Sequence, residues 1–444
     1  MLPRLTNIIP EQSRISYGYL FKWTVSAITA GLFGSTLVHY FSLLCTTGTR
    51  LLSSLPAPLV VWPVAGALIA GFLIYPFERH AAGEGLPSYI AALRFHSGKL
   101  PFKVTIYKLL AALSTLITLG NGGIVGPLGR VSAGTMSFAG GLLIREGSFF
   151  SDDEQRTASI CGLAAVVGAV FHSSIGGGIF AVEIIQKAKM GYRDLFPAIL
   201  ASSTAVFVCK SVGWQSFYVF DAVNRFMELS LIGYLVLFSI IVGFIGGGYT
   251  MLYTRIAQQF KRTEGNMALK VVVGSSAAAL IAWAINPELL GTSSSMVQAV
   301  FSNNTAVLFG RMSPTVFPAV ALLTIMALLK ALCNCLTVGS GMSAGFTGPA
   351  AITGMLLGTA MAQLLGIEFG SASSHAFIAV GFCAMLASSM NIPLAAAVMT
   401  VEIFGLEYSF PAGFSAIIGF QVMRHQTIYD YAVQRMELDR TDEE

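Results

Sequence analysis

Residues 119–134 read Leu-Gly-Asn-Gly-Gly-Ile-Val-Gly-Pro-Leu-Gly-Arg-Val-Ser-Ala-Gly and lie between two apolar runs, 106–119 and 131–143. Six glycines, a proline and an arginine cannot continue a regular helix, and their backbone groups cannot stay unpaired in hydrocarbon. Such a stretch has to be enclosed by protein, and it suits the lining of a pathway. The surroundings make this requirement strict. The chain is 55% hydrophobic and 11% charged, whereas soluble domains carry about 25% charged residues. Apolar runs interrupted by glycine fit an all-α polytopic membrane protein better than the alternating pattern of a barrel.

The formal charge is +4, and the basic residues fall in short connectors rather than in one patch, so nothing points to nucleic acid. Cys45, Cys161, Cys209, Cys333, Cys335 and Cys383 sit in apolar surroundings and read as small buried hydrophobes. Cys333-Asn334-Cys335 is too short a spacing for a redox or zinc motif, so no metal, cofactor or enzymatic chemistry is expected. The first sixteen residues are polar, broken by Pro3 and Pro10, and lack a cleavable-signal pattern. The expectation is a retained, cytoplasmic amino terminus.

Hydrophobic spans are expected at 23–44, 60–75, 106–119, 131–143, 195–209, 231–252, 268–285, 314–329, 350–365, 375–388, 393–404 and 412–422. Residues 157–183 read as two pieces joined at Phe171-His172-Ser173-Ser174. Arg94, His96, Lys99, Lys103 and Lys108 read as one basic connector, cytoplasmic by the positive-inside rule. Residues 145–156 read as a solvated loop, Lys187, Lys189 and Arg193 as a second basic edge, 258–266 as a polar divide, and the tail from Arg424 as lying in water.

Sliding the chain against itself by 219 positions aligns Gly120 with Gly339, Gly122 with Gly341, Gly126 with Gly345 and Gly129 with Gly348. The same offset puts His172 on Asn391 and Glu183 on Glu402. Two separate blocks in one register argue for duplication, with approximate halves at 17–210 and 230–433 of a single transmembrane domain. Duplicated membrane proteins with broken helices commonly place an ion site where the halves meet. Helix starts inside the bilayer present free N–H groups and a positive dipole end, which favours an anion.

With these motifs in order, the sequence resembles the CLC family of chloride channels and chloride–proton exchangers. The family's Gly-Ser-Gly-Ile-Pro is matched by Gly83-Glu84-Gly85-Leu86-Pro87, its Gly-Arg-Glu-Gly-Pro by Gly126-Pro127-Leu128-Gly129-Arg130, and its Gly-x-Phe-x-Pro by Gly345-Phe346-Thr347-Gly348-Pro349. His172-Ser173-Ser174-Ile175 stands at the Asn-Ala-Pro-Leu helix start, and Tyr429 at the late tyrosine. The resemblance implies the CLC fold with two inverted-topology repeats. It also implies a homodimer with one anion pathway per subunit, in a bacterial inner (plasma) membrane. The central anion would be held by Gly345, Phe346, Thr347, the Glu84 segment and Tyr429, and an outer site by the N–H groups of residues 126–129.

On this alignment the family's gating glutamate falls on Leu128, and the internal proton-relay glutamate on Ile184. Both ends of the usual proton route are then apolar, which favours a passive channel or uniporter for a small monovalent anion, with chloride first. Glu84 opposes this, because an ionised carboxylate in the pore repels the permeant ion. It has four resolutions: protonation, a relocated gate, pairing with a cation, or a changed ion chemistry. Arg130 is the partner expected for such a pair. A proton-coupled exchanger using Glu84, and a non-transporting membrane scaffold or sensor, are the competing functions. His172 reads as a helix-break residue with pH sensing as its alternative. Glu183 and Glu402 read as structural or subunit-contact residues, with proton handling as theirs.

Overall fold

The computed structural model describes residues 11–145, 152–185, 192–215, 227–302, 304–312 and 318–441. Lys187, Lys189 and the start of the 314–329 span lie outside these residues, as do most of the first sixteen residues and the middle of the 145–156 loop.

The first half runs α1 (Glu11–Ser53), α2 (Val61–Leu68), α3 (Leu86–Phe95), α4 (Phe102–Ile117), α5 (Val125–Arg145), α6 (Asp152–Phe171), α7 (Ser174–Glu183) and α8 (Tyr192–Val212). The second runs α9 (Ile232–Arg262), α10 (Met267–Ile285), α11 (Ser294–Ser302), α12 (Thr305–Phe309), α13 (Ala319–Gly339), α14 (Thr347–Leu364), α15 (Ala372–Met390), α16 (Pro393–Phe404), α17 (Ser409–Met423) and α18 (Asp430–Thr441). Among the described residues there is no sheet, only one antiparallel bridge between Gly123 and Gly345.

Among the described residues six helices are long and apolar enough to cross a membrane: α1, α8, α9, α10, α13 and α15. Others stop halfway. The ten residues of α3 and of α7 span about 15 Å each, half of a hydrocarbon core of roughly 30 Å. The start of α3, with Leu86 and Pro87 buried, falls inside the protein, which is where a broken helix can find partners for its terminal groups. Large apolar side chains such as Phe72, Phe207, Phe244 and Ile417 face outward, as a lipid-facing surface requires.

Four expectations change. The 145–156 loop is shorter than expected, because α6 begins at Asp152 and buries Gln155. The α9 helix continues through Arg262, which shortens the polar divide to residues 263–266. The tail does not stay in water from Arg424, because Ile428 and Tyr429 return to the core before α18. Lys108 does not belong to a solvated connector. It lies within α4 and is 1% exposed, since the helix begins at Phe102 and carries the residue one and a half turns inward.

Candidate functional site

The glycine-rich break meets its counterpart at the centre of the molecule. Gly123 donates its N–H to the Gly345 carbonyl at 2.9 Å, and Gly345 donates back to Gly123 at 2.8 Å. Around this bridge the bonds come in mirrored pairs. The Gly83 N–H donates to the Gly341 carbonyl at 2.8 Å, and the Gly291 N–H to the Leu119 carbonyl at 2.9 Å. Leu119 and Gly341 both have positive φ, 63° and 110°. The backbone groups that a loosened helix exposes are thus satisfied across the repeat, as burial in lipid demands.

These pairs fix the register. Gly123 with Gly345, Leu119 with Gly341, and Lys108 with Lys330 are all 222 positions apart, and α5 and α14 both carry Gly-Pro at their second and third residues. Proline is tolerated there because the first-turn N–H has no helical partner. The offset of 219 expected for this block is therefore corrected to 222. It holds for the later block, where His172 and Asn391 end α6 and α15 with left-handed φ of 52° and 62°. A single rigid slide could not separate the two registers.

The corrected register carries the Gly-Arg-Glu-Gly-Pro pattern three residues earlier, onto Gly123-Ile124-Val125-Gly126-Pro127. Val125 then takes the glutamate position instead of Leu128, and Pro127 takes the place given to Arg130. Leu128 and Gly129 already belong to the helical turn, and the Leu128 N–H is spent on the Ile124 carbonyl at 3.0 Å. The N–H groups of Val125 and Gly126 precede that first helical bond. The gate position is apolar in either register.

Glu84 sits in the loop before α3, 5% exposed. Its Oε2 accepts from the Leu86 N–H at 2.5 Å, and its carboxylate lies against Gly126 so closely that a Cβ on Gly126 would overlap Oε1. That Cβ would also stand 3.2 Å from the Gly345 Cα. The starts of α3 and α5 and the glycine preceding α14 thus surround one carboxylate. Among the described residues Glu84 Oε1, the Thr347 hydroxyl and the Tyr429 hydroxyl are buried without a hydrogen-bond partner. Phe346 is fully buried, its ring 4.6 Å from Tyr253, 6.0 Å from Tyr249 and 6.3 Å from Tyr429.

The expected Arg130–Glu84 pair is absent. Arg130 Nε donates to Ser88 Oγ at 3.1 Å and Nη1 to Thr105 Oγ1 at 3.1 Å, because Arg130 lies one turn into α5, beside α3 and α4. The buried cation held at the loop that carries Glu84 is Lys108, which the sequence reading placed in the connector. Its ammonium donates to the carbonyls of Ala81, at 3.1 Å, and Gly83. Lys330 repeats the arrangement with the carbonyls of Leu289 at 3.2 Å and Gly291 at 3.0 Å, adding Ser293 Oγ at 2.7 Å. The match of Lys108 to Lys330 was the signal that could have exposed both.

A cavity adjoins the junction at Tyr429, lined by Arg94, Glu183, Ile184, Asn391, Tyr429 and Asp430 among others. Glu183 and Glu402 have reciprocal places. The Glu402 carboxylate accepts from Ser173 Oγ, from the Ile175 N–H at 2.9 Å and from the Gly176 N–H at 3.0 Å, at the start of α7. The Glu183 carboxylate accepts from the N–H groups of Leu394 at 3.0 Å and Ala395 at 2.7 Å, at the start of α16. Each half-helix ends in the carboxylate that closes the start of its twin. His172 occupies the left-handed break that histidine and asparagine tolerate better than most residues.

The geometry is that of an anion-transport fold, and known proteins agree. The family described as voltage gated chloride channel matches residues 66–424. An uncharacterized protein of Methanocaldococcus jannaschii is 25% identical over 94% of this chain and 96% of its own. A chloride/fluoride channel protein of Pseudomonas syringae pv. tomato is 24% identical over 95% and 88%. A crystal structure of a CLC-type fluoride/proton antiporter superposes with a TM-score of 0.79 at 18% identity, covering 93% of this chain and 98% of that one. The chain is an integral, multi-pass membrane protein, a member of the CLC family of anion channels and transporters rather than an enzyme.

Proposed function

We propose that this chain moves a small monovalent anion, chloride first, through the junction of its halves, and that Glu84 is the gate. The observation that carries this is the Glu84 carboxylate lying at the starts of α3 and α5. It is a tethered anion on donors that suit a free one. While ionised, it competes with the permeant ion for the same N–H groups. Once protonated, it offers a weaker acceptor and no charge, and the ion displaces it. Proton binding and anion binding are thereby linked, which is the basis of proton-coupled exchange. Gly345, Phe346, Thr347 and Tyr429 complete the pathway beside Gly126 and Pro127, and the cavity lined by Arg94 and Tyr429 is its second entrance.

The passive uniport reading rests on Val125 and Ile184, apolar at both positions where the family's proton route has glutamates. One measurement separates the two. Purified protein in liposomes is given an outward chloride gradient with the voltage clamped by valinomycin and potassium, and proton movement is recorded. Proton uptake that disappears in Glu84→Gln supports exchange. Chloride flux without proton movement leaves Glu84 as the gate of a uniporter, and absence of any flux favours a scaffold. A homodimer with one pathway per subunit belongs to the same proposal, tested by crosslinking in native membranes.

A further inference from the structure

Lys108 and Lys330 are related by the repeat, fully buried, and caged alike. Each ammonium reaches the carbonyls two residues apart in the loop before a short helix, Ala81 and Gly83 in one half, Leu289 and Gly291 in the other. Gly83 and Gly291 share the left-handed backbone, φ 69° and 62°, that turns those carbonyls toward the lysine. As bolts holding a loop, the two are equivalent. The next residue breaks the symmetry, because Glu84 follows Gly83 where Thr292 follows Gly291. A buried ammonium next to a neutral threonine only fastens the backbone. Next to a carboxylate it also sets the local potential.

We propose that Lys108 is the counter-charge of Glu84, and that it sets the proton concentration at which the carboxylate leaves the junction and the anion enters. The proposal rests on Glu84 being the gate. Four titratable groups among the described residues interact with Glu84. Lys108 comes from α4, Tyr249 and Tyr253 from α9, and Tyr429 from the segment before α18. Arg130 on α5 acts on Lys108 while its own donors are held by Ser88 and Thr105. The tyrosines are neutral in the working range, so Lys108 is the charge that most directly favours the ionised carboxylate. No ion pair joins Lys108 to a carboxylate among the described residues. Its influence passes through space and through the Gly83 carbonyl rather than through a bond to Glu84.

The test is chloride flux in liposomes as a function of pH for wild type, Lys108→Met, Lys330→Met, Glu84→Gln and the Glu84→Gln/Lys108→Met double variant. Wild-type flux rises as pH falls through the protonation of Glu84. Removing a neighbouring cation makes the ionised carboxylate less favourable, so it protonates at lower proton concentration. The half-maximal pH of Lys108→Met moves to the alkaline side by roughly 1–2 pH units, the size of one charge at short range in a protein interior. Lys330→Met keeps the wild-type midpoint. In Glu84→Gln the titration is gone, and adding Lys108→Met does not restore it. A Lys108→Met midpoint equal to that of wild type and Lys330→Met overturns the proposal while leaving the gate intact. A Glu84→Gln protein that titrates like wild type overturns the gate itself. Should Lys108→Met fail to fold, folded yield of the double variant decides: recovery on removing the carboxylate supports the counter-charge, and no recovery overturns it.

Discussion

Replacing Glu84 with Gln removes the charge of a tethered competitor without removing its volume, so the consequence for a free anion can be sized. The ionised carboxylate takes one charge-assisted bond from the Leu86 N–H, worth about 1.5–3 kcal/mol. It also stands at the positive ends of α3 and α5, which adds roughly 0.3–1 kcal/mol for each helix. Allowing for the amide oxygen keeping part of that bond, the free anion gains about 2–3 kcal/mol against its competitor, or roughly 30- to 150-fold in Kd. Isothermal titration of chloride into detergent-solubilised protein should show that gain at alkaline pH, about 9.5, because burial of Glu84 raises the pH at which its carboxylate ionises. The gain should shrink to less than about threefold where wild-type Glu84 is itself protonated, because the competitor has then lost its charge. Glu84→Ala, which cannot hold Leu86 at all, should bind at least as tightly as Glu84→Gln. Equal chloride affinity of wild type and both variants across the pH range would show that the carboxylate does not contest the anion's place.

Arg130→Gln should leave the pH midpoint of flux within about half a pH unit of wild type, because its guanidinium is bonded to Ser88 and Thr105 rather than to Glu84. A midpoint shift as large as that of Lys108→Met would restore the discarded pair. Glu402→Ala strips the acceptor from three donors at the start of α7 and should cost several kcal/mol, at about 1.5–3 kcal/mol for each charge-assisted bond lost, read as a lowered thermal midpoint in detergent with an unchanged pH profile of flux. A changed profile with unchanged stability would give Glu402 a proton-handling role instead. Arg156→Met leaves the buried Asp194 with Thr157 Oγ1 at 2.6 Å as its remaining side-chain partner. It should cost about 1.5–3 kcal/mol, recovered in part by Asp194→Asn, and a double variant no more stable than the single would deny the coupling.

The parts of this architecture that local chemistry dictates were legible in the residues. A histidine and an asparagine at matched breaks, Glu183 and Glu402 at matched helix ends, and Gly-Pro inside two helix starts each carry a backbone requirement that a sequence displays. The enclosure of residues 119–134 followed from the need to pair backbone groups in lipid. What escaped reading depended on lengths between blocks. Three residues separate the register of the glycine-rich break from that of the later block, and no local chemistry announces them. Lys108 looked like the last member of a basic connector because its spacing from Lys103 is that of a solvated run; only the start of α4 at Phe102 shows that it has already turned inward. Arg130 and Glu84 share the same neighbourhood, but the reach of a side chain is set by helix rotation, which the one-dimensional pattern does not contain.

Glu84, and not Glu183 or Glu402, is the proposed gate because of how many donors each carboxylate commands. All three close the start of a half-helix and so stand where an anion would be welcome. Glu402 takes two backbone N–H groups and the Ser173 hydroxyl, and Glu183 takes two N–H groups with one oxygen on each. At about 1.5–3 kcal/mol for each charge-assisted bond, dislodging either costs several kcal/mol, and an incoming ion would have to replace the whole set at once. Glu84 accepts the Leu86 N–H on one oxygen and feels the Phe346 N–H, while its Oε1, against Gly126, has no partner within hydrogen-bond distance. A free anion at the same place can recruit what Glu84 leaves unused, the hydroxyls of Thr347 and Tyr429 and the N–H groups at the starts of α5 and α14. The repeat thus shuts two helix pairs with firmly held carboxylates and leaves the junction to a loosely held one, so that on the proposed mechanism exchange between tethered and free anion is confined to a single point in the pathway.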